Sequence, residues 1–395
     1  MGNFRIPVIV LLLALLISGI DLWQERPRLS LPLPPDGRDR SVGAIHVHSI
    51  YSDGGGTIQD IRDAARRAGL DFVIITDHST IQPFLNGKQG YAESVLVLIG
   101  EEVNTSAGHL LALGVDRHVH QRGPTGLQAV IDTIRAAGGL GIAAHPDGRR
   151  PWLDWSVARL QGLEILNADS EWRNDDLFEL VRALVWYSVF PDASFNSLMD
   201  RPEAVLRRWD ALSRQGRVVG IGSVDAHARL PLWGNRFLPF PSYERLFRLL
   251  RTYVITSRPL TGSATTDRAT ILDALRAGHC YIAVDGYERA SRFTFEAMNG
   301  GTTAGMGDSL AYRPGSRLRI RAGSSGRVLI RLVRDGVTVA ETIADEMDYP
   351  VTATGVYRAE VYQLRRRLPL WRETPRPWVF SNPIWVTHGF PLSRE

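Results

Sequence analysis

The sequence predicts an α/β fold, either a parallel barrel or a doubly wound sheet, followed by a small all-β module. Three observations predict it. From Val42 onward, short apolar strands alternate with segments of helical spacing. Residues of metal-binding type stand directly after several of those strands. After about Gly286 the helical periodicity stops, and alternating or β-branched segments separated by Gly, Pro and Asn-Gly turns take over.

The elements follow in order. Ala44–His48 reads as a strand. Thr57–Gly69 reads as a helix, with Thr57 as N-cap, apolar Ile58, Ile61, Ala65 and Ala68 on one face, and Gly69 as the stop. Strands are expected at Phe72–Thr76, Val95–Ile99 and Leu110–Leu113, then a helix over Leu127–Ala137, then strands at Gly141–Ala144, Leu163–Leu166 and Val218–Val224. A helix-rich excursion runs from Asp175 to Gln215. Two further pairs follow: helix Ser242–Leu250 with strand Tyr253–Thr256, and helix Arg268–Ala277 with strand Tyr281–Val284. In the module, strands are expected at Phe293–Met298, Arg317–Ala322, Val328–Arg334, Val337–Ile343, Val356–Leu364 and Ile384–Val386, in a sandwich-like arrangement. The boundaries are 42–285 for the α/β domain and 286–395 for the β module.

The N-terminus carries one arginine, Arg5, and then an uncharged, almost wholly apolar run from Ile6 to Ile20. That run is long for a signal-peptide core and short of the roughly 20 residues that span a bilayer. Residues 1–22 are therefore a signal peptide or a membrane anchor, and either places the rest of the chain outside the cytoplasm. Residues 23–41, with the Pro- and Leu-rich Pro27 to Pro35, read as a linker.

The chain has 395 residues, enough for one large and one smaller domain, with ordinary apolar (44%) and charged (22%) fractions that exclude long disorder. The net charge of +4 is not concentrated in one block. The Arg365-Arg366-Arg367 run reads as a solvated strand end, so no specific nucleic-acid partner is expected. The single cysteine, Cys280, excludes an intramolecular disulfide and reads as a core thiol.

Six of the ten histidines fall in a scattered set with acidic residues: His46, His48, Asp53, Asp77, His78, Glu101, Glu102, His109, His145, Asp225 and His227. Several follow a buried strand, where an active site is built in a parallel barrel. Imidazole and carboxylate together suit Zn, Mn or Fe, and so many ligands call for two or three divalent ions. Clustered ions fit hydrolysis by an activated water, with the same ions holding the oxygens of a phosphate. Arg149, Arg150 and Arg229 stand just past ligand segments and are candidates for holding a substrate phosphate or carboxylate. Trp152, Trp155, Trp172 and Trp233 could wall the pocket, and Glu164 and Asn167 could line it. His118 and His120 read as a polar loop, and His279 and His388 as lacking partners.

In motif order, His46-Val-His48-Ser, Ser52-Asp53-Gly, Thr76-Asp77-His78, Gly100-Glu-Glu102-Val, Gly108-His109, Ala144-His145-Pro146 and Asp225-Ala-His227 resemble the PHP (polymerase and histidinol phosphatase) family over about residues 42 to 285. Gly-Glu-Glu-Val, Gly-His-Leu-Leu-Ala-Leu-Gly and Ser381-Asn382-Pro383-Ile384 are most similar to its CehA/McbA-type branch. The resemblance implies a distorted, TIM-like (β/α)7 barrel and a di- or trinuclear site. It implies one metal on His46, His48, Glu102 and Asp225, a second sharing Glu102 with His109 and His145, and a third on Asp53, His78 and His227. Of the adjacent acids it favours Glu102, with Glu101 turned to the other face. Asp77 is expected to orient a ligand from behind.

The leading expectation is a metal-dependent phosphoesterase acting on a small-molecule substrate, with Asp77, Arg149 and Arg229 assisting the reaction. Carboxyl-ester or carbamate hydrolysis on the same site is the alternative. A non-catalytic metal- or ligand-binding envelope protein is a third reading. A nuclease or proofreading role is disfavoured by the N-terminal segment. Membrane contact is expected, if anywhere, through residues 1–22, and oligomeric state is left open.

Overall fold

The computed structural model describes residues 5–28, 39–120, 126–233, 236–367 and 372–388. It is a mixed α/β, two-domain structure.

The α/β part is organised as a ring of strands. Arg40–Val47 pairs in parallel with Phe72–Ile75, which pairs in parallel with Val95–Ile99. At Gly100 the chain bends into Glu101–Thr105. A Cβ on Gly100 would lie 2.7 Å from the Ala112 carbonyl oxygen, so only glycine allows this bend. Glu101–Thr105 is antiparallel to Gly108–Leu113, which is antiparallel to Leu140–Ala143. Parallel pairing then resumes through Gly162–Asn167 to Val219–Ser223. The ring closes where Val224 N donates to Ile45 O (3.0 Å), Ala226 N to His46 O (3.2 Å) and His48 N to Ala226 O (3.0 Å). The Gly108–Leu113 strand thus runs against its neighbours, a departure from regular β-then-α alternation. It is reached from Glu101–Thr105 by a turn, with no crossover helix, and a turn can join only antiparallel strands.

The helices sit where spacing and caps place them. Thr57 caps Ile58–Ala68 in a reciprocal capping box with Asp60, and Gly69 ends it in the left-handed conformation (φ 71°). Ser242 caps Tyr243–Leu249 by accepting from Arg245 N. The excursion from 175 to 215 holds Leu177–Trp186, Pro191–Asn196 and Glu203–Ser213.

The strand Arg40–Val47 serves two sheets. Its second half closes the ring, while Arg40–Gly43 pairs antiparallel with Arg251–Ile255. From there the sheet continues through Cys280–Ala283 to Arg372–Ser381 and Gly355–Arg367. One sheet therefore passes from the α/β domain into the β module, across the expected boundary near 285. Asn382 ties the junction: its amide donates to Gly220 O (2.8 Å) and Cys280 O (3.0 Å), and its oxygen accepts from Gly220 N (2.9 Å). A second sheet, Thr302–Gly305, Thr294–Asn299, Arg317–Arg321 and Glu346–Pro350, completes the module. Phe295, Leu318, Ile320, Ile330, Val361 and Trp378 are fully buried between these layers. Cys280 is buried, and burial pushes its thiol up to about 12, as suits a core thiol.

The first described element is a helix, Arg5–Gln24. Among the residues whose side chains are described, no helix is long and apolar enough to cross a membrane. Residues 29–38 of the expected linker lie outside the described residues. Its two ends are parts of the packed structure: Glu25 is fully buried against Arg376 (3.0 Å), and Arg40 begins a strand. Arg365 corrects the reading of its run as solvated. It is 5% exposed and donates to Gln24 O (2.9 Å) at the C-terminal end of the first helix, where a cation suits the helix dipole.

Candidate metal centre

The ring brings nine side chains from seven segments to one end. Glu102 lies at the middle. Its Oε2 is 3.1 Å from His46 Nε2, from His48 Nε2 and from His78 Nδ1. Its Oε1 is 2.6 Å from His109 Nδ1 and 3.1 Å from His145 Nε2. Asp225 Oδ1 is 3.3 Å from both His46 Nε2 and His48 Nε2, and 3.6 Å from His227 Nδ1. At the outer side, Asp53 Oδ1 is 3.4 Å from His227 Nε2 and 3.5 Å from His48 Nδ1, and Asp53 Oδ2 is 3.7 Å from His78 Nε2.

Backbone geometry aims these groups. His46 has φ 67°, His145 φ 28° and Asp225 φ 46°. Such left-handed conformations cost non-glycine residues about 1–3 kcal/mol each and persist where the surroundings enforce them. His46 lies at a bulge, because the pairing register with the next strand slips between Ile45 and Val47. The regular alternation of an unbroken strand, which puts residues i and i+2 on one face, is therefore interrupted at His46. Both imidazoles reach Glu102, their rings 5.0 Å apart, through a bulged strand.

The polar atoms fit divalent cations. His46 Nε2, His48 Nε2, His78 Nδ1 and Glu102 Oε2 are buried and without a hydrogen-bond partner. Orphaned buried acceptors are costly, and four of them facing one another need a shared positive charge. Four overlapping groups have ligand atoms within 4.8 Å of one another: His48, Asp53, His78 and His227; His46, His48 and Glu102; His46, His145 and Asp225; and His78, Glu102 and His109. Together they use all nine residues, and the sharing of His46, His48, His78 and Glu102 suits adjacent ions. The grouping differs from the partition the motifs implied, since His48 and His78 each face two groups.

Electrostatics agree. Burial pushes the His46 imidazole down, but Asp225, Glu164 and Glu102 overcome it and hold its pKa well above the usual value. His48 is raised to about 10 by Asp225 and Glu102 against the same burial. Burial would raise Glu102 and Asp225, yet the surrounding imidazoles hold both well below the carboxylate range. The cavity demands cationic charge, a demand that metal ions can meet in place of protons.

A supporting layer holds the ligands. Glu164 Oε1 lies 2.7 Å from His46 Nδ1, and Glu164 Oε2 accepts from His145 N (2.6 Å) and Asn167 Nδ2 (2.9 Å). Carboxylate-to-imidazole contact of this kind fixes ring orientation and tautomer. Asp77 is 1% exposed and accepts from Ser49 N (2.7 Å), Ser49 Oγ (2.6 Å) and Ser52 Oγ (2.6 Å). It pins the loop between His48 and Asp53 and is a positioning residue.

The arginines divide. Arg150 Nη1 is 3.3 Å from His109 Nε2, and Arg229 Nη1 is 3.4 Å from Asp53 O, so both stand at the rim. Arg149 is exposed, and Arg150 makes the contact with the ligand set. Trp152 is buried against Gly108, whereas Trp233 is 84% exposed. Glu101 turns away from Glu102, as strand alternation requires. It binds His118 Nδ1 (2.6 Å) and Val119 N (2.9 Å), so the 118–120 loop has a buried anchor that its polar sequence did not suggest. His279, read as lacking a partner, pairs with Asp308 at 3.0 Å.

No family model matches the chain. It is 32% identical over 116 residues to the uncharacterized protein MJ1587 of Methanocaldococcus jannaschii, covering 26% of this chain and 66% of that one. Among solved structures it is similar to a two-domain protein containing a predicted PHP-like metal-dependent phosphoesterase from Bacteroides vulgatus, at 14% identity and TM-score 0.44, covering 89% of this chain and 99% of that one. It is also similar to an amidohydrolase from Chromobacterium violaceum, solved with sulfate and no metal, at 16% identity and TM-score 0.28, covering 47% and 87%. At these values the functional reading rests on the side chains themselves.

Proposed function

We propose that this chain is a metal-dependent hydrolase of PHP type, acting as a phosphoesterase on a small molecule. The observation that carries the reading is the convergence of His46, His48, Asp53, His78, Glu102, His109, His145, Asp225 and His227, with buried atoms that bound cations would satisfy. The motifs imply a distorted (β/α)7 barrel; the observed ring closes on itself as such a barrel does but holds eight strands, one of them antiparallel to its neighbours, and the motif details favour the CehA/McbA-type branch. Divalent ions bound there (Zn, Mn or Fe, two or three of them) would lower the pKa of a coordinated water and neutralise charge on the substrate.

The protein's own residues do the rest. Glu164 and Asp77 hold the ligand-bearing segments. The deep ligands are buried and exclude bulk water, while Asp53, His78 and His227 border solvent and mark the mouth. Arg150 and Arg229 at the rim offer forked donors to an anionic group. Those arginines would serve a carboxylate as readily as a phosphate, which keeps carboxyl-ester or carbamate hydrolysis as the second reading. The apolar run of the first helix favours an extracytoplasmic location.

The test is a metal-reconstituted screen against phosphomonoesters, phosphodiesters and aryl or carbamate esters, with His46→Ala as control. Turnover of a phosphoester by wild type alone supports the proposal. Turnover confined to carboxyl or carbamate esters installs the second reading. Metal uptake without turnover of any of them favours a binding protein.

A further inference from the structure

The helix Leu177–Trp186 is amphipathic the wrong way round. Its buried residues are Arg182 and Ala183, with Arg182 paired to Glu179. The face toward solvent carries Leu177 (76% exposed), Phe178 (72%), Val181 (50%), Leu184 (68%) and Val185 (50%), and Val189 (58%) extends it one turn further. The spacing i, i+1, i+4, i+7, i+8 is that of a core-facing stripe, and a patch of this size on a soluble surface marks an interaction site.

The stripe is continuous with the first helix. Trp186 Nε1 donates to Ser18 Oγ (2.8 Å), and the Trp186 ring lies so close that a Cβ on Gly19 would be 2.6 Å from it. Leu13, Leu16 and Ile17 of the first helix are themselves exposed, and the sequence upstream to Ile6 carries no charge. At 1.5 Å per residue the uncharged run from Ile6 to Ile20 extends about 22 Å along that helix, less than a full hydrocarbon core but enough to enter one leaflet.

Along the axis of that helix the chemistry changes in the order of a bilayer surface. Leu13, Leu16 and Ile17 come first. Half-exposed Trp23 follows, with the Arg26 guanidinium 4.2 Å over its ring. Then comes a cleft of about 720 Å³ whose lining includes Arg26, Arg28, Arg327 and Arg366, with Asp192 and Glu373 as its acids. Hydrocarbon, interfacial tryptophan and headgroup-level arginine is the membrane sequence; a protein partner would not require it. The base of the helix is rigidly docked: Leu22 and Glu25 are fully buried, Arg376 and Arg365 hold its end, and Asn196 donates to Glu25 O (2.8 Å).

We infer that the exposed apolar face of the Leu177–Trp186 helix lies in a lipid bilayer surface beside the first helix, with the arginine-lined cleft at the level of anionic headgroups. The catalytic body is thereby seated on the membrane through two elements at a fixed tilt, where a single tether would leave it free to swing.

Spin labels test this on the full-length chain, because the only native cysteine, Cys280, is buried. Labels go on Phe178→Cys, on Leu184→Cys and, as reference, on Val337→Cys in the β module, where the native side chain is 65% exposed. The protein is reconstituted in vesicles of phosphatidylglycerol and phosphatidylethanolamine. The inference expects labels at 178 and 184 to be reached by oxygen and shielded several-fold from a water-soluble nickel chelate relative to 337. Equal nickel access at all three sites overturns it. Shielding that persists in detergent without vesicles, with spin–spin broadening, also overturns it and assigns the face to a second copy.

Discussion

Glu164 Oε1 and His46 Nδ1 lie 2.7 Å apart in a fully buried contact, and this one hydrogen bond turns His46 Nε2 toward both Glu102 and Asp225. The bulged, left-handed His46 backbone would otherwise leave its ring free to settle elsewhere. Replacing the carboxylate while keeping its shape isolates the effect. Glu164→Gln should weaken metal affinity by about 10- to 100-fold, read by chelator competition, with the fold retained. Unchanged affinity would mean that the ring is held by packing alone.

Metal binding should appear as stability. A cation that binds only the folded chain adds about 2.7 kcal/mol at a free concentration one hundred times its Kd. Wild type should therefore gain several degrees in Tm on metal addition and lose them to chelator. His46→Ala and Glu102→Ala should show little of that response in the same calorimetric titration.

Arg150 stands 3.3 Å from His109 at the exposed rim, placed to meet an anionic substrate. A charge-assisted hydrogen bond contributes about 1.5–3 kcal/mol, so Arg150→Ala should lower kcat/KM roughly ten- to a hundredfold. The loss should fall mainly on KM if the contact is made equally in ground and transition states. Arg149→Ala should change kcat/KM little, and steady-state kinetics on both variants decides between the neighbours.

Away from the metal centre, Glu360 sets an acid limit on stability. Burial would raise its carboxyl, but Arg358 and Arg201 hold it down at about 2, against 4.5 for a free glutamate. Between those values the unfolded chain binds a proton that the folded chain refuses. The stabilisation is complete above about pH 4.5 and is lost as pH falls toward 2, amounting to about 3 kcal/mol. Denaturation monitored across that range should show this slope in wild type and a shallower one in Glu360→Gln.

Much of the site is legible in the sequence because metal ligands are rare residue types at strand ends, and their order survives any error in strand boundaries. The resemblance favours Glu102 over Glu101, alternation predicts only that the two face opposite ways, and the structure puts Glu102 among the imidazoles and Glu101 on His118. What could not be read are contacts between distant segments. The Glu164–His46 pair spans two strands, and nothing local marks Glu164 as different from any strand-end acid. The left-handed turns at His46, His145 and Asp225 occur at residues with no glycine signature, enforced by the ring around them. The polar residues Glu101, Glu102 and Asn104 hide the strand pattern of Glu101–Thr105 in the sequence. Nothing near Arg365 in the sequence marks it as buried, because its partner, the Gln24 carbonyl, is 341 residues away.

The most direct measurement is metal content per chain. Wild type reconstituted with zinc, manganese or iron, desalted, and measured by elemental analysis should retain two or three ions per chain, and Glu102→Ala should retain fewer because Glu102 joins the buried imidazoles. A folded wild-type chain that retains no ion would contradict the account.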